Sequence, residues 1–169
     1  MRSVKLSLVV RGLPIVLALC LVAALASVAS AQTDPRVGTW KINLAKSKFV
    51  PGPAPKSLTL TYEATATGLT GLTQGTDQEG KPINPDKNKV TIILDGKDHP
   101  TQTTNAAYNT TAWKRIDANT WNIVRKKDGK TTQTVKNVVS KDGKTLTITT
   151  TGVNAEGHTI NNKVVYDKQ

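Results

Sequence analysis

Cysteine occurs once in this 169-residue chain, at Cys20, inside an apolar run from Leu13 to Leu25. The rest of the chain therefore has no thiol, which excludes disulfides, thiol catalysis, thiolate metal ligands and thiol redox chemistry. Histidine is almost as scarce. His99 and His158 each stand beside a turn with no repeated spacing, so no metal site is expected. No serine sits in a Gly-x-Ser-x-Gly elbow, and no phosphate loop or dinucleotide glycine pattern follows a strand. Of the acidic residues, Glu63, Asp77, Glu79, Asp86, Asp95 and Asp98 lie mostly in or next to turns, where Asp serves the backbone rather than acid–base chemistry. No catalytic residue and no cofactor is assigned, and the chain is read as a non-enzyme.

Long hydrophobic runs are also absent outside the first 31 residues. There, Arg2, Lys5 and Arg11 precede the apolar run, and the small residues Ala29-Ser30-Ala31 follow it. This is the pattern of a signal peptide, residues 1–31, cut after Ala31. The alternative is an uncleaved anchor, but the apolar core falls short of the roughly 20 residues that span a bilayer as a helix. Leu17-Ala18-Leu19 before Cys20 lacks the small residue expected next to a lipidated cysteine. The expectation is a periplasmic or secreted protein with no transmembrane anchor after processing, working as a single domain over 32–169. That part keeps 20 Lys and Arg against 12 Asp and Glu, a formal charge of +8. Such a balance favours weak association with anionic partners, an anionic envelope polymer among them. Basic and aromatic residues interleave over 113–127, but export argues against a specific nucleic-acid partner.

Seven aromatics stand against 25 threonines after residue 31. The branched Cβ of threonine packs well on a pleated surface, so strands are favoured over helices. Gln32 to Arg36 reads as a frayed leader. In Gly38 to Leu44, Trp40, Ile42 and Leu44 share one face at period two, and a short helical turn is expected over Ala45 to Phe49. Leu58, Leu60, Tyr62 and Ala64 alternate with Thr59, Thr61 and Glu63. Residues 65–87, broken by glycines and prolines, read as one or two irregular strands. Strand-length segments follow at 89–94, 100–106, 111–116, 120–126, 131–139, 145–152 and 159–166. Asp95-Gly96, Asp128-Gly129 and Asp142-Gly143 supply tight reversals, because both residue types tolerate positive φ. The fold expected is all-β: an antiparallel meander of 8–10 strands closing into a small barrel, with a two-sheet sandwich or an open sheet as alternatives.

Trp113 and Arg115 share a face of one strand, and Trp121, Ile123 and Arg125 share a face of the next. An arginine held inside a barrel can grip a carboxylate or phosphate through its planar fork of donors. The competing reading puts these side chains outside, or has an arginine pack over a tryptophan to close one barrel end. Interior positions Leu60, Tyr62, Ile92, Trp113, Ile123, Leu146 and Ile148 are candidates to line a pocket. The ligand-binding set is thus Tyr62, Trp113, Arg115, Trp121 and Arg125, for a small apolar or amphipathic molecule. The rival reading is an envelope structural or interaction protein that contacts anionic polymer or a protein partner through its basic surface.

The stretch Gly38-Thr39-Trp40-Lys41-Ile42-Asn43-Leu44-Ala45-Lys46-Ser47-Lys48-Phe49 and the following Pro51-Gly52-Pro53-Ala54-Pro55 resemble an uncharacterised family of small exported bacterial proteins. The resemblance runs on through Asp95 to Pro100, Lys114 to Thr120, Ser140 to Thr147 and Asn161 to Lys168. It implies a lipocalin-like barrel, and Gly38-x-Trp40 matches the short lipocalin signature in which the tryptophan closes the barrel base. It transfers no activity and no ligand residue. Trp40 is accordingly expected to be buried, with Arg115 or Arg125 as its packing partner.

Overall fold

Alternation of apolar and hydroxylated residues is what turns this chain into strands, since period two puts one set on each face of a sheet. The computed structural model describes residues 34–101 and 107–169. They belong to the second of two units into which the chain divides, Met1–Gln32 and Thr33–Gln169. The stretch read as a signal peptide lies outside the described residues. Among the described residues no helix is long and apolar enough to cross a membrane.

Eleven strands follow in order: β1 (Gly38–Ile42), β2 (Ser57–Thr65), β3 (Gly68–Thr76), β4 (Pro82–Ile83), β5 (Val90–Ile93), β6 (Asp98–Pro100), β7 (Thr110–Arg115), β8 (Thr120–Lys127), β9 (Lys130–Val139), β10 (Thr145–Val153) and β11 (Thr159–Lys168). All pairings are antiparallel, in the order β4-β3-β2-β1-β11-β10-β9-β8-β7-β6, with β5 on β3. The sheet is a meander that curls into a barrel. Its first long strand pairs with its last, Trp40 opposite Lys168 and Ile42 opposite Tyr166. Where the curl meets itself, the Gly96 amide donates to the Trp113 carbonyl at 2.9 Å.

The turns follow their chemistry. Asp128 and Gly129 both have positive φ, 49° and 79°, which matches the twist of the strands they join. The Asp95 and Asp142 carboxylates accept the Lys97 and Lys144 amides at 2.9 and 3.1 Å. Gly152, at φ 136°, lies where an added Cβ would sit 2.1 Å from the Thr132 carbonyl oxygen, so close strand approach there requires glycine.

Inward residues form one core around Trp40, Leu60, Tyr62, Leu69, Ile92, Trp121, Val139, Leu146, Val164 and Tyr166. Fully burying an aliphatic side chain of this kind stabilises by roughly 1.5–3 kcal/mol.

Four expectations about the strands need correction. Residues 65–87 are more regular than their glycines suggest, because β3 runs nine residues and pairs along its whole length with β2. Its glycines include Gly71, which makes room for the Tyr62 ring: a Cβ there would lie 3.2 Å from it. The strand expected at 100–106 is instead Asp98–Pro100, with 102–106 outside the described residues. β1 stops at Ile42 and a 3-10 turn, Leu44–Lys46, capped by the Asn43 side chain, leaves Leu44 exposed. The strand count of eleven exceeds the expected 8–10 because β4 and β6 are very short pieces.

The largest correction is the leader. Arg36 is not frayed but fully buried, as is Trp40. The Trp40 indole N–H donates to the Arg36 carbonyl at 2.7 Å, and the Lys168 ammonium lies 5.0 Å from the Trp40 ring. Neither Arg115 nor Arg125 is its partner. Each stacks elsewhere, Arg115 on Trp121 and Arg125 on Tyr108.

Candidate functional site

The curled sheet encloses a cavity of about 600 Å³, within the range of roughly 300–1,000 Å³ usual for ligand pockets. Apolar wall comes from Leu60 on β2, Ile92 on β5, Val135 on β9, Ile148 on β10 and Val164 on β11. These positions face inward by the same period-two rule that sends Thr59, Thr61, Thr147 and Thr149 to the other side.

One end of the cavity is floored by Arg36. Its guanidinium lies 4.0 Å from the Trp121 ring, 5.5 Å from Trp113 and 5.8 Å from Tyr62. Asp34 neutralises it, accepting from Nε at 3.0 Å and from Nη2 at 2.8 Å. A desolvated cation over several aromatic faces gains about 2 kcal/mol or more from each good contact. The segment Asp34-Pro35-Arg36 thus acts as a plug. It carries no periodicity, so alternation could not reveal it. The available signal was an Asp placed two residues before an Arg, next to a strand with tryptophan at its third position.

At the other end stands Arg125, four residues along β8 from Trp121 and so about 13 Å away. Its Nη1 donates to Gln133 Oε1 at 2.9 Å, Gln133 in turn donates to the Val153 carbonyl at 2.9 Å, and its guanidinium stacks on Tyr108 at 4.6 Å. Its Nε is buried without a partner. Two further buried polar atoms of cavity residues also lack partners, Trp113 Nε1 and Asn137 Oδ1. Asn137 itself is only 1% exposed.

Of the five residues assigned to ligand binding from sequence, Tyr62, Trp113 and Arg125 line the cavity. Trp121 and Arg115 do not. Trp121 is spent on the floor beneath Arg36, and Arg115, exposed at the end of β7, donates to the Asp117 and Ala118 carbonyls at 3.0 and 2.9 Å while covering Trp121. All five share the inner face, as alternation requires. Their depth along the barrel separates them. Of the pocket positions, Ile123 and Leu146 are buried in the wall, whereas Thr111, Asn137, Thr150 and Tyr166 line the cavity and were missed. Alternation assigns a face but not a depth, so it gives no sign that these positions meet the cavity.

The surface groups are ordinary by comparison. His99 pairs with Asp95 at 2.9 Å, and the Lys126 and Lys89 ammonium groups bind Asp98 and Glu63. Among the described residues no cluster of three or more His, Cys, Asp or Glu is placed to hold a metal ion.

Two tyrosines in the site are chemically marked. Burial raises the Tyr62 phenol above its ordinary value of 10.0, with the Arg36 and Arg125 charges pulling against it, and burial likewise raises Tyr166. Below about pH 10 both phenols are neutral in folded and unfolded chains alike, so the stability they support is intact. Above it only the unfolded chain ionises, and stability falls as pH rises toward the folded values. We expect denaturant melts to hold steady up to about pH 9 and to lose stability beyond about pH 10. In ultraviolet titration, Tyr62 and Tyr166 should resist ionisation until the chain unfolds; either of them ionising in the folded protein near pH 10 would contradict this.

No protein-family model matches the chain, and no curated protein matches it. Among solved structures the fold is similar to that of the zebrafish ileal bile acid-binding protein complexed with cholic acid, at 13% identity and a TM-score of 0.51, covering 80% of this chain and 99% of that one. The likeness is one of fold: a lipocalin-like, curled antiparallel sheet around an interior.

Proposed function

We propose that this protein is an exported, non-enzymatic barrel, periplasmic or secreted, that binds a small apolar or amphipathic molecule in its interior. The observation that carries this reading is the cavity of about 600 Å³ with an apolar wall and a few convergent polar atoms. Support for export comes from the basic, apolar and small-residue succession over 1–31, and the solved structure of similar fold holds a small molecule, cholic acid. The ligand contacts proposed are Tyr62, Trp113 and Arg125.

The test is native mass spectrometry of the protein taken from its own host, followed by titration with the amphiphilic dye anilinonaphthalene sulfonate. The chain should begin at Gln32 and carry a dissociable small molecule, or bind one equivalent of dye saturably. A processed protein that carries nothing and binds no dye has a filled interior, and the reading fails.

A further inference from the structure

The cavity contains a cation without a counter-ion. Arg125 is the only residue with a full charge among those lining it, and no ion pair is formed by Arg125 among the described residues. The residues outside the description cannot supply the missing side-chain charge, because neither 1–33 nor 102–106 contains an Asp or Glu. Arg36, at the floor, is by contrast neutralised by Asp34. The compensated arginine packs against the lining residues Tyr62 and Trp113 without being part of the lining, and the uncompensated one is on it. Arg125 is half-buried, and holding a guanidinium partly out of water without a partner anion carries a cost that an arriving anion removes.

Of the three unpartnered atoms of cavity residues, two are donors and the third, Asn137 Oδ1, is an acceptor. Arg125 Nε is a buried donor, and so is the Trp113 indole N–H. Thr111, buried and directly opposite Arg125 in the β7–β8 register, adds a hydroxyl to the lining. The Gln133 side chain, itself tied to the Val153 carbonyl, fixes one edge of the guanidinium and leaves Nε free. Away from this end the wall is Leu60, Ile92, Ile148 and Val164.

Resting on the pocket reading above, we infer that the ligand is an amphipathic organic anion, its acid group on Arg125 beside Thr111 and Tyr108 and its apolar body along the β2, β5, β10 and β11 wall. Charge-assisted hydrogen bonds of a fixed guanidinium select an acid over the alcohol of the same skeleton, whose oxygen is a single uncharged acceptor.

Dodecanoate and dodecan-1-ol distinguish the two levels of the argument. Binding of each to the purified protein is measured by calorimetry at constant salt. The acid should bind at least about tenfold more tightly than the alcohol, the order expected for a charge-assisted hydrogen bond. Arg125→Gln should remove that preference while leaving the alcohol unchanged. Arg125→Lys, which keeps the charge but loses Nε and the fork, should retain part of it and serves if the glutamine variant does not fold. Equal affinity of the wild type for acid and alcohol overturns the anion assignment but leaves the pocket standing, as does a variant that weakens both ligands alike. Binding of neither overturns the pocket reading itself.

Discussion

Replacing Trp40 by alanine is expected to lower the unfolding free energy by about 3 to 5 kcal/mol, the range for truncating a buried aromatic when the surroundings cannot collapse. Trp40 is fully buried, and its removal does more than open a hole. The Arg36 carbonyl loses the indole N–H that it accepts at 2.7 Å, and the Lys168 stem loses the ring it covers. One end of the β1–β11 seam is thereby loosened on both of its strands. Denaturant melts of the two proteins give the answer. A loss under about 1 kcal/mol would make Trp40 peripheral and the plug at the floor unimportant.

The second large effect is expected at a residue outside any alternating pattern. Asp34→Asn removes the charge that compensates Arg36 while leaving the guanidinium among Trp113, Trp121 and Tyr62. Breaking one side of a buried pair strands the other charge, at a cost of about 3–5 kcal/mol. The same principle gives the control. Asp34→Asn combined with Arg36→Met places an apolar stem on the same rings and should recover most of that loss. Equilibrium unfolding of the single and double variants forms the test. If D34N melts like the wild type, the plug owes its place to packing and not to the pair.

Legibility in the sequence depended on what each residue was asked to do. The Asp-Gly reversals at 128–129 and 142–143 were readable because positive φ is a local demand with a local solution. Inward and outward faces were readable because alternation is local too, and Trp113, Trp121 and Arg125 fall on the expected face. Depth was not. Whether an inward side chain meets a ligand or a floor depends on strand stagger and on Arg36, which enters from a stretch without alternation. Thus Trp121 and Arg115 went to the floor end and Arg125 to the opposite end, although the three share one strand pair. β3 was obscured for a related reason: glycines that look like breaks in a single chain are clearances when the partner strand and the Tyr62 ring are in place.

The seam between β1 and β11 also sets an order of assembly in time. The Asn43 amide meets the Asp167 carboxylate across 124 residues, whereas β8 and β9 are separated by two. Hairpins from β7 onward can each form as soon as their own two strands exist, but the edge of β1 waits for the last strand. Closure of that long loop is the slow, entropically expensive event. A fragment stopping before Thr159 retains every hairpin turn named here yet lacks Val164 and Tyr166 of the cavity wall and the partner of Trp40. The cavity wall is therefore complete only when the final pairing of β11 with β1 is made.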